Sequence, residues 1–237
     1  MSSIDKIKLE LNKHADPEKA NFLPNFFKAG PGGYGEGDKF ISVKVPVQRK
    51  VAKKYYKTLS LEEVELLLRD PIHEYRLTAL IILVNKFEKA KTERERKSIK
   101  DFYLKNISFV NNWDLVDSSA DKILGAYLFD KEKDILYGFA KSDNLWENRV
   151  AIISTFYFIK NEEFEDTLNI AKILLKHEHD LIHKAVGWML REVGNRNFDI
   201  EFNFLKEHYK NMPRTMLRYA IEKFEPELRN KFLKGLI

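Results

Sequence analysis

No cysteine occurs in the 237 residues, which excludes disulfides, zinc–thiolate sites and thiol catalysis. No apolar run approaches the roughly 20 residues a membrane-spanning helix needs. The opening MSSIDKIKLELNKHA is amphipathic and polar, without the apolar core of a secretory signal. These absences lead to the expectation of a cytoplasmic chain with no membrane partner. Proline and glycine are sparse, at seven and ten residues. No stretch alternates apolar and polar residues well enough for a strand pair. Acidic residues are missing altogether between Lys39 and Leu61, where Lys44, Arg49, Lys50, Lys53, Lys54 and Lys57 all fall.

What is present is an ordinary globular composition, 44% hydrophobic and 32% charged, with a net charge of +5. The length suits one large domain or an elongated array, taken as a single domain over 1–237. Almost every segment has helical period. The spacing predicts helices at roughly 3–14, 17–28, 46–57, 60–70, 73–89, 92–105, 113–129, 131–141, 144–160, 162–176, 180–195, 198–210, 213–223 and 225–235. Ser60, with Glu63 three residues on, reads as a capping box. The glycines cluster in KAGPGGYGEGDKF, residues 28–40, which must be a loop. It looks at a glance like a phosphate cradle, but no Lys-Ser/Thr follows it and no apolar strand precedes it.

An internal repeat accompanies the helices. EYRLTALIIL, ENRVAIISTF, IHKAVGWMLR and MLRYAIEKF each set a basic residue before a small and apolar run. The basic positions are Arg76, Arg149, Lys184 and Arg218, the last three separated by 35 and 34 residues. That is the spacing of a helical-pair solenoid. Placing WDLVDSSADKIL in the gap puts Asp117 at the shared position, a carboxylate in a row of cations. The expected fold is all-α, a HEAT-like helical-repeat solenoid (an α-α superhelix) with a concave basic groove suited to phosphates.

Asp117 is the residue that packing alone does not explain. Leu115, Val116, Ala120, Ile123 and Leu124 supply a core stripe, and the carboxylate lies in line with it. An unpaired carboxylate among apolar groups would be destabilising by several kcal/mol, so a cationic partner is expected. Three readings stand: a partner for a neighbouring arginine such as Arg149, half of a metal pair with Asp114, or a group on the same inner surface as a row of cations, where an anionic ligand would sit. The tryptophans Trp113, Trp146 and Trp188 fall close to the shared position. Trp146 reads as core; Trp113 and Trp188 fit either core or ligand contact, Trp188 lying three residues before Arg191. Arg49, Lys53 and Lys57 form a stripe on one helix, either a solvated face or a phosphate-contacting surface. The histidines His14, His73, His177, His179, His183 and His208 lie mainly at helix ends, form no triad with a nucleophile, and HEHD at 177–180 reads as a solvated turn.

NNWDLVD, SDNLWENRVAI, KAVGWMLRE and GPGGYGEGDKFISVKVPVQRK resemble the signature segments of the AlkD-like DNA alkylation repair glycosylases. The match runs in order from about residue 17 to 195. The resemblance implies a HEAT-like repeat fold and removal of positively charged N3- and N7-alkylated purines from duplex DNA, with no metal or cofactor. Carried over by motif, the catalytic aspartate falls on Asp117 and the aromatic contacts beside the lesion's sugar on Trp113 and Trp188. The DNA-binding arginines fall on Arg149 and Arg191. Phe26 stands where some members carry tyrosine, keeping the ring and losing the hydroxyl. Lys28, Arg49 and Lys53 complete the expected DNA contacts. The last repeats, after about residue 196, show no family motif. The expected partner is duplex DNA bearing alkylated bases, bound by a monomer. The alternatives are a non-catalytic binder of damaged or branched DNA on the same scaffold, and a peptide-binding solenoid.

Overall fold

The computed structural model describes residues 2–237. It is helical throughout, with one isolated parallel bridge between Lys39 and Ile72 as its β feature among the described residues. The chain forms two compact units, the first ending at Tyr127 and the second spanning Leu128–Ile237.

The first unit holds α1 (Ser3–Asn12), α2 (Pro17–Ala20), α3 (Leu23–Phe26), α4 (Val45–Tyr55), α5 (Leu61–Leu68), α6 (His73–Lys89), α7 (Glu93–Lys105), α8 (Trp113–Ala120) and α9 (Ala126–Leu128), within which it ends. Capping boxes start α1, α5 and α7. In the one expected from sequence, Ser60 Oγ accepts from Glu63 N at 3.2 Å and Glu63 Oε2 accepts from Ser60 N at 2.9 Å. The helix expected over 17–28 is instead two four-residue pieces. Pro24 offers no N–H to donate to the carbonyl four residues earlier, so a helix begun at Pro17 does not continue through it, and Pro24 sits in the first turn of a new piece.

α6 is the spine of the first unit. Every residue from His73 to Val84 is buried, and α4, α5, α7 and α8 pack around it. Its polar first turns are buried because each side chain there has a partner. Glu74 takes the backbone N–H of Ile41 at 3.1 Å and of Ser42 at 2.6 Å, and Thr78 donates to the Glu74 carbonyl at 2.7 Å. α8 buries Leu115, Val116 and Ala120 as its stripe predicts, then widens into a π segment, Asp121–Gly125, carrying the buried Ile123 and Leu124.

The second unit contains α10 (Asp134–Ala140), α11 (Leu145–Lys160), α12 (Glu165–Leu174), α13 (Asp180–Gly194), α14 (Phe198–His208), α15 (Arg214–Ala220) and α16 (Pro226–Lys234). Asn144, His179 and Asn197 cap α11, α13 and α14 with their side chains. α13 is central, packed by α11, α12, α14 and α15. Two of its glycines admit close neighbours. A Cβ at Gly194 would overlap the buried Glu201 carboxyl, whose pKa burial pushes up to about 9, against a lowering by Arg191. A Cβ at Gly187 would come within 2.4 Å of the Met216 carbonyl oxygen and 2.5 Å of Tyr219 Cβ. Because α15 presses backbone onto backbone there, Gly187→Ala should destabilise by about 2 kcal/mol. Urea unfolding measures this; an unchanged or raised midpoint would contradict the close approach.

Candidate functional site

The polar centre of the first unit is built by the 28–40 loop, the start of α6 and the segment leading into α8. Lys28 adopts a left-handed φ of 51°, and its carbonyl accepts from Gly35 N at 3.2 Å, closing the loop. Gly35 is required by space, since a Cβ there would meet the Phe27 carbonyl oxygen at 2.5 Å and Asn112 Nδ2 at 3.0 Å. The loop then docks on α6: Lys39 N donates to Pro71 O at 3.0 Å and His73 N to Lys39 O at 2.8 Å. Its purpose in the fold is to deliver Asp38.

Asp38 is buried among donors. Arg76 Nη2 reaches its two oxygens at 2.7 and 2.8 Å, His73 Nδ1 lies at 3.0 Å and Asn112 Nδ2 at 3.2 Å. The other imidazole nitrogen, Nε2, lies 2.8 Å from Asp114 Oδ2, and Arg76 Nη1 donates to Asn111 Oδ1 at 2.7 Å. With a carboxylate on each ring nitrogen, His73 is held as the imidazolium, which donates from both. Burial opposes that charge, but hydrogen bonds to Asp114 and Asp38 overcome it and raise the pKa from 6.5 to about 9. Phe27 and Phe40 enclose the imidazole, with ring centroids 4.7 and 5.1 Å away.

This network carries a stability signature. A folded-state pKa raised from 6.5 to about 9 gives stabilisation that is full below pH ~6.5 and is lost as pH rises through 9. Its size is about 3 kcal/mol. The urea stability gap between wild type and His73→Gln should therefore narrow steadily between pH 6.5 and 9. Taking the gap removes the overlapping contribution of Glu201. A gap constant over that range would show that His73 is neutral.

Asn112 caps α8, accepting from Trp113 N at 2.9 Å, so the network fixes the first turn of the helix that carries Trp113 and Asp117. The indole of Trp113 stacks on Phe27 at 5.5 Å and 14°, and Phe26 meets it edge-on at 6.0 Å. Phe26 is 62% exposed, an uncommon state for a large apolar ring within an aromatic cluster. Trp113 and Asp117 are half-buried. A cleft of about 270 Å³, lined in part by Phe26, Phe40, Lys44 and Asp114, opens beside this cluster. The structure thus brings Phe26 and Trp113 together and sets Asp117 one helical turn beyond Trp113.

The other expected site residues are placed as follows. Lys28, Arg49 and Lys53 are exposed in the first unit. In the second unit Trp188 is half-buried, its Nε1 donating to Glu192 Oε1 at 3.2 Å and its ring against Phe156 at 5.7 Å. Arg191 pairs with Glu222. Arg149 is only 5% exposed and donates from Nη1 to the Leu181 carbonyl at 2.6 Å, tying α11 to the start of α13.

Three readings are revised. Arg76 is not an open cation for a ligand, because Asp38 neutralises it within the core. Asp114 is not half of a metal pair with Asp117, because His73 engages it; no group of three or more His, Asp and Glu placed to hold a metal occurs among the described residues. The 177–180 turn is solvated in part: Glu178 and Asp180 are exposed, and His177 and His179 are half-buried. His177 Nε2 faces Asn148 Oδ1 at 3.1 Å, while His177 Nδ1 accepts from His179 N at 3.0 Å and His179 Nδ1 from Leu181 N at 3.1 Å. Burial lowers the pKa of both imidazoles, which keeps these nitrogens free to accept. Sequence reasoning missed His73 and Asp38. The signal available was local: HEYR opens a helix that is apolar on every other side, so its polar turn had to find partners.

Among the described residues no helix is long and apolar enough to cross a membrane. A family model described as "DNA alkylation repair enzyme" matches residues 7–224, extending through the repeats beyond residue 196 that carry no recognisable motif. Comparison with curated proteins gives no match. Among solved structures, a "Predicted DNA alkylation repair enzyme from Enterococcus faecalis" is similar at a TM-score of 0.70 and 18% identity, covering 90% of this chain and 98% of its own. At that identity the likeness shows a shared all-α fold.

Proposed function

The chain belongs to the DNA alkylation repair enzyme family, and from that premise we propose that it is a DNA glycosylase releasing positively charged N3- and N7-alkylated purines, such as 7-methylguanine and 3-methyladenine, from duplex DNA. The observation that carries this reading is the α8 arrangement: a fixed, half-buried Trp113 backed by Phe27, with the carboxylate of Asp117 on the next turn.

The chemistry suits those groups. An N7- or N3-alkylated purine already bears a positive charge, so it leaves as a neutral base with the bonding electrons and needs no general acid. The sugar left behind is oxocarbenium-like. A carboxylate held nearby stabilises that cation and orients a water, which adds to the anomeric carbon and loses a proton. Trp113, with Phe26 at its edge, packs against sugar and backbone, and the exclusion of water strengthens the carboxylate's field. Lys28, Arg49 and Lys53 contact phosphates from the first unit, and Arg191, exchanging Glu222 for a phosphate, contacts DNA from the second. Selectivity then follows from the lability of the cationic base, without a tight base pocket.

The test is formation of abasic sites in a duplex carrying 7-methylguanine, scored as alkali-labile breaks against spontaneous depurination. Acceleration by the protein supports the reading. Tight duplex binding with depurination at the spontaneous rate would favour the non-catalytic binder instead.

A further inference from the structure

The basic run at 44–57 leads to a second concavity of the first unit. α4 buries Gln48, Val51 and Ala52, which turns its lysines outward, and Glu10 takes Lys54 at 2.8 Å. Lys57, just past the helix, has no such partner; its ammonium lies 5.9 Å from the centre of the Tyr56 ring. There the ends of α4 and α6 and the starts of α5 and α7 border a cleft of about 640 Å³. Its apolar surface comes from Tyr56, Leu61, Ala90 and Ile99, and its cationic rim from Lys57, Lys86, Lys89 and Lys91.

None of these four lysines has a carboxylate within 4.0 Å among the described residues. The one carboxylate at the rim, Glu95, is turned to the helix end, accepting from Lys91 N at 2.7 Å and Thr92 N at 3.1 Å. Lys86 is half-buried, and burial lowers its pKa against the attraction of Glu63. The negative end of the α6 dipole accounts for Lys86 and Lys89 on its last turn. It does not account for Lys57 and Lys91 converging on the same space from other segments. Four unpaired cations over an apolar floor, in a volume typical of small-ligand sites, match the chemistry of a phosphorylated aromatic: phosphates on the ammonium groups, a base on the floor.

We propose that this cleft binds a phosphate-bearing ligand of nucleotide size through Lys57, Lys86, Lys89 and Lys91. Two sources share that chemistry. One is a free nucleotide. The other is the flank of a DNA duplex already held at the Trp113 cluster, since thirteen residues of α6 separate His73 from Lys86, about 20 Å, or roughly six base pairs.

The experiment compares wild type with Lys86→Gln/Lys89→Gln and, independently, Lys57→Gln/Lys91→Gln. A Lys97→Gln/Lys231→Gln chain serves as the charge-matched control, and unfolding midpoints confirm that all are folded. Titration uses inorganic tripolyphosphate, a nucleoside triphosphate, and undamaged duplexes of about 10 and 30 base pairs. No base release is read, so the outcome is independent of glycosylase activity. Free-nucleotide binding predicts that both cleft variants lose roughly tenfold or more in affinity for the two small anions. Binding of a DNA flank predicts that the long duplex alone weakens, with the salt slope falling by about 1.8 for two lost contacts. If neither small anions nor the long duplex distinguish the cleft variants from the control, the proposal is wrong.

Discussion

Asp38→Ala is expected to destabilise the protein by about 3 kcal/mol or more, the range for removing one partner of a buried charge pair. The side chain of Asp38 is 6% exposed and that of Arg76 7%, so neither water nor salt can replace what is removed. Arg76 would keep only its bond to Asn111, and His73 would lose one of the two carboxylates that keep it charged. Asn112 would lose the acceptor that orients it as the cap of α8. Asp38→Asn, which retains an acceptor and loses the charge, should fall between alanine and wild type. Urea unfolding at pH 7 measures both. A loss below about 1 kcal/mol for alanine would mean that the network behaves as a surface ion pair and does not organise the site.

The same residues mark where the sequence was legible. The bounds of α6, the capping box at Ser60 and the buried stripe of α8 follow from local rules: helical period, cap chemistry and side-chain polarity within one turn. Arg76 shows the limit of those rules. Its place in a repeat of basic residues made it look like a ligand contact, and nothing local announces a partner 38 residues earlier. Asp38 was hidden in a glycine-rich loop whose purpose becomes plain only once Gly35 is seen pressed against the Phe27 backbone. His73 read as a helix-end histidine because its two carboxylates come from segments distant in sequence. Resemblance to a family pointed to Trp113, Asp117 and Phe26 by motif, and of these the packing of Phe26 on Trp113 is visible in the structure. What holds that cluster in place belongs to tertiary structure.

Asp117→Asn should abolish most base release while sparing DNA binding. The substitution is nearly isosteric, so α8 keeps its packing on Leu115 and Val116, and what disappears is the negative charge that the proposed mechanism sets against the developing sugar cation. Removal of one preorganised electrostatic group of this kind lowers rates by roughly 100- to 1000-fold. Because the effect is confined to the transition state, affinity for the duplex should change little. The most direct measurement is the single-turnover rate of 7-methylguanine release from a duplex oligonucleotide, wild type beside Asp117→Asn, with binding of the same duplex measured for both. Wild-type release well above spontaneous depurination, lost in a variant that still binds, is the predicted result. Release by the variant at the wild-type rate, or by neither protein above the spontaneous rate, would contradict the carboxylate mechanism.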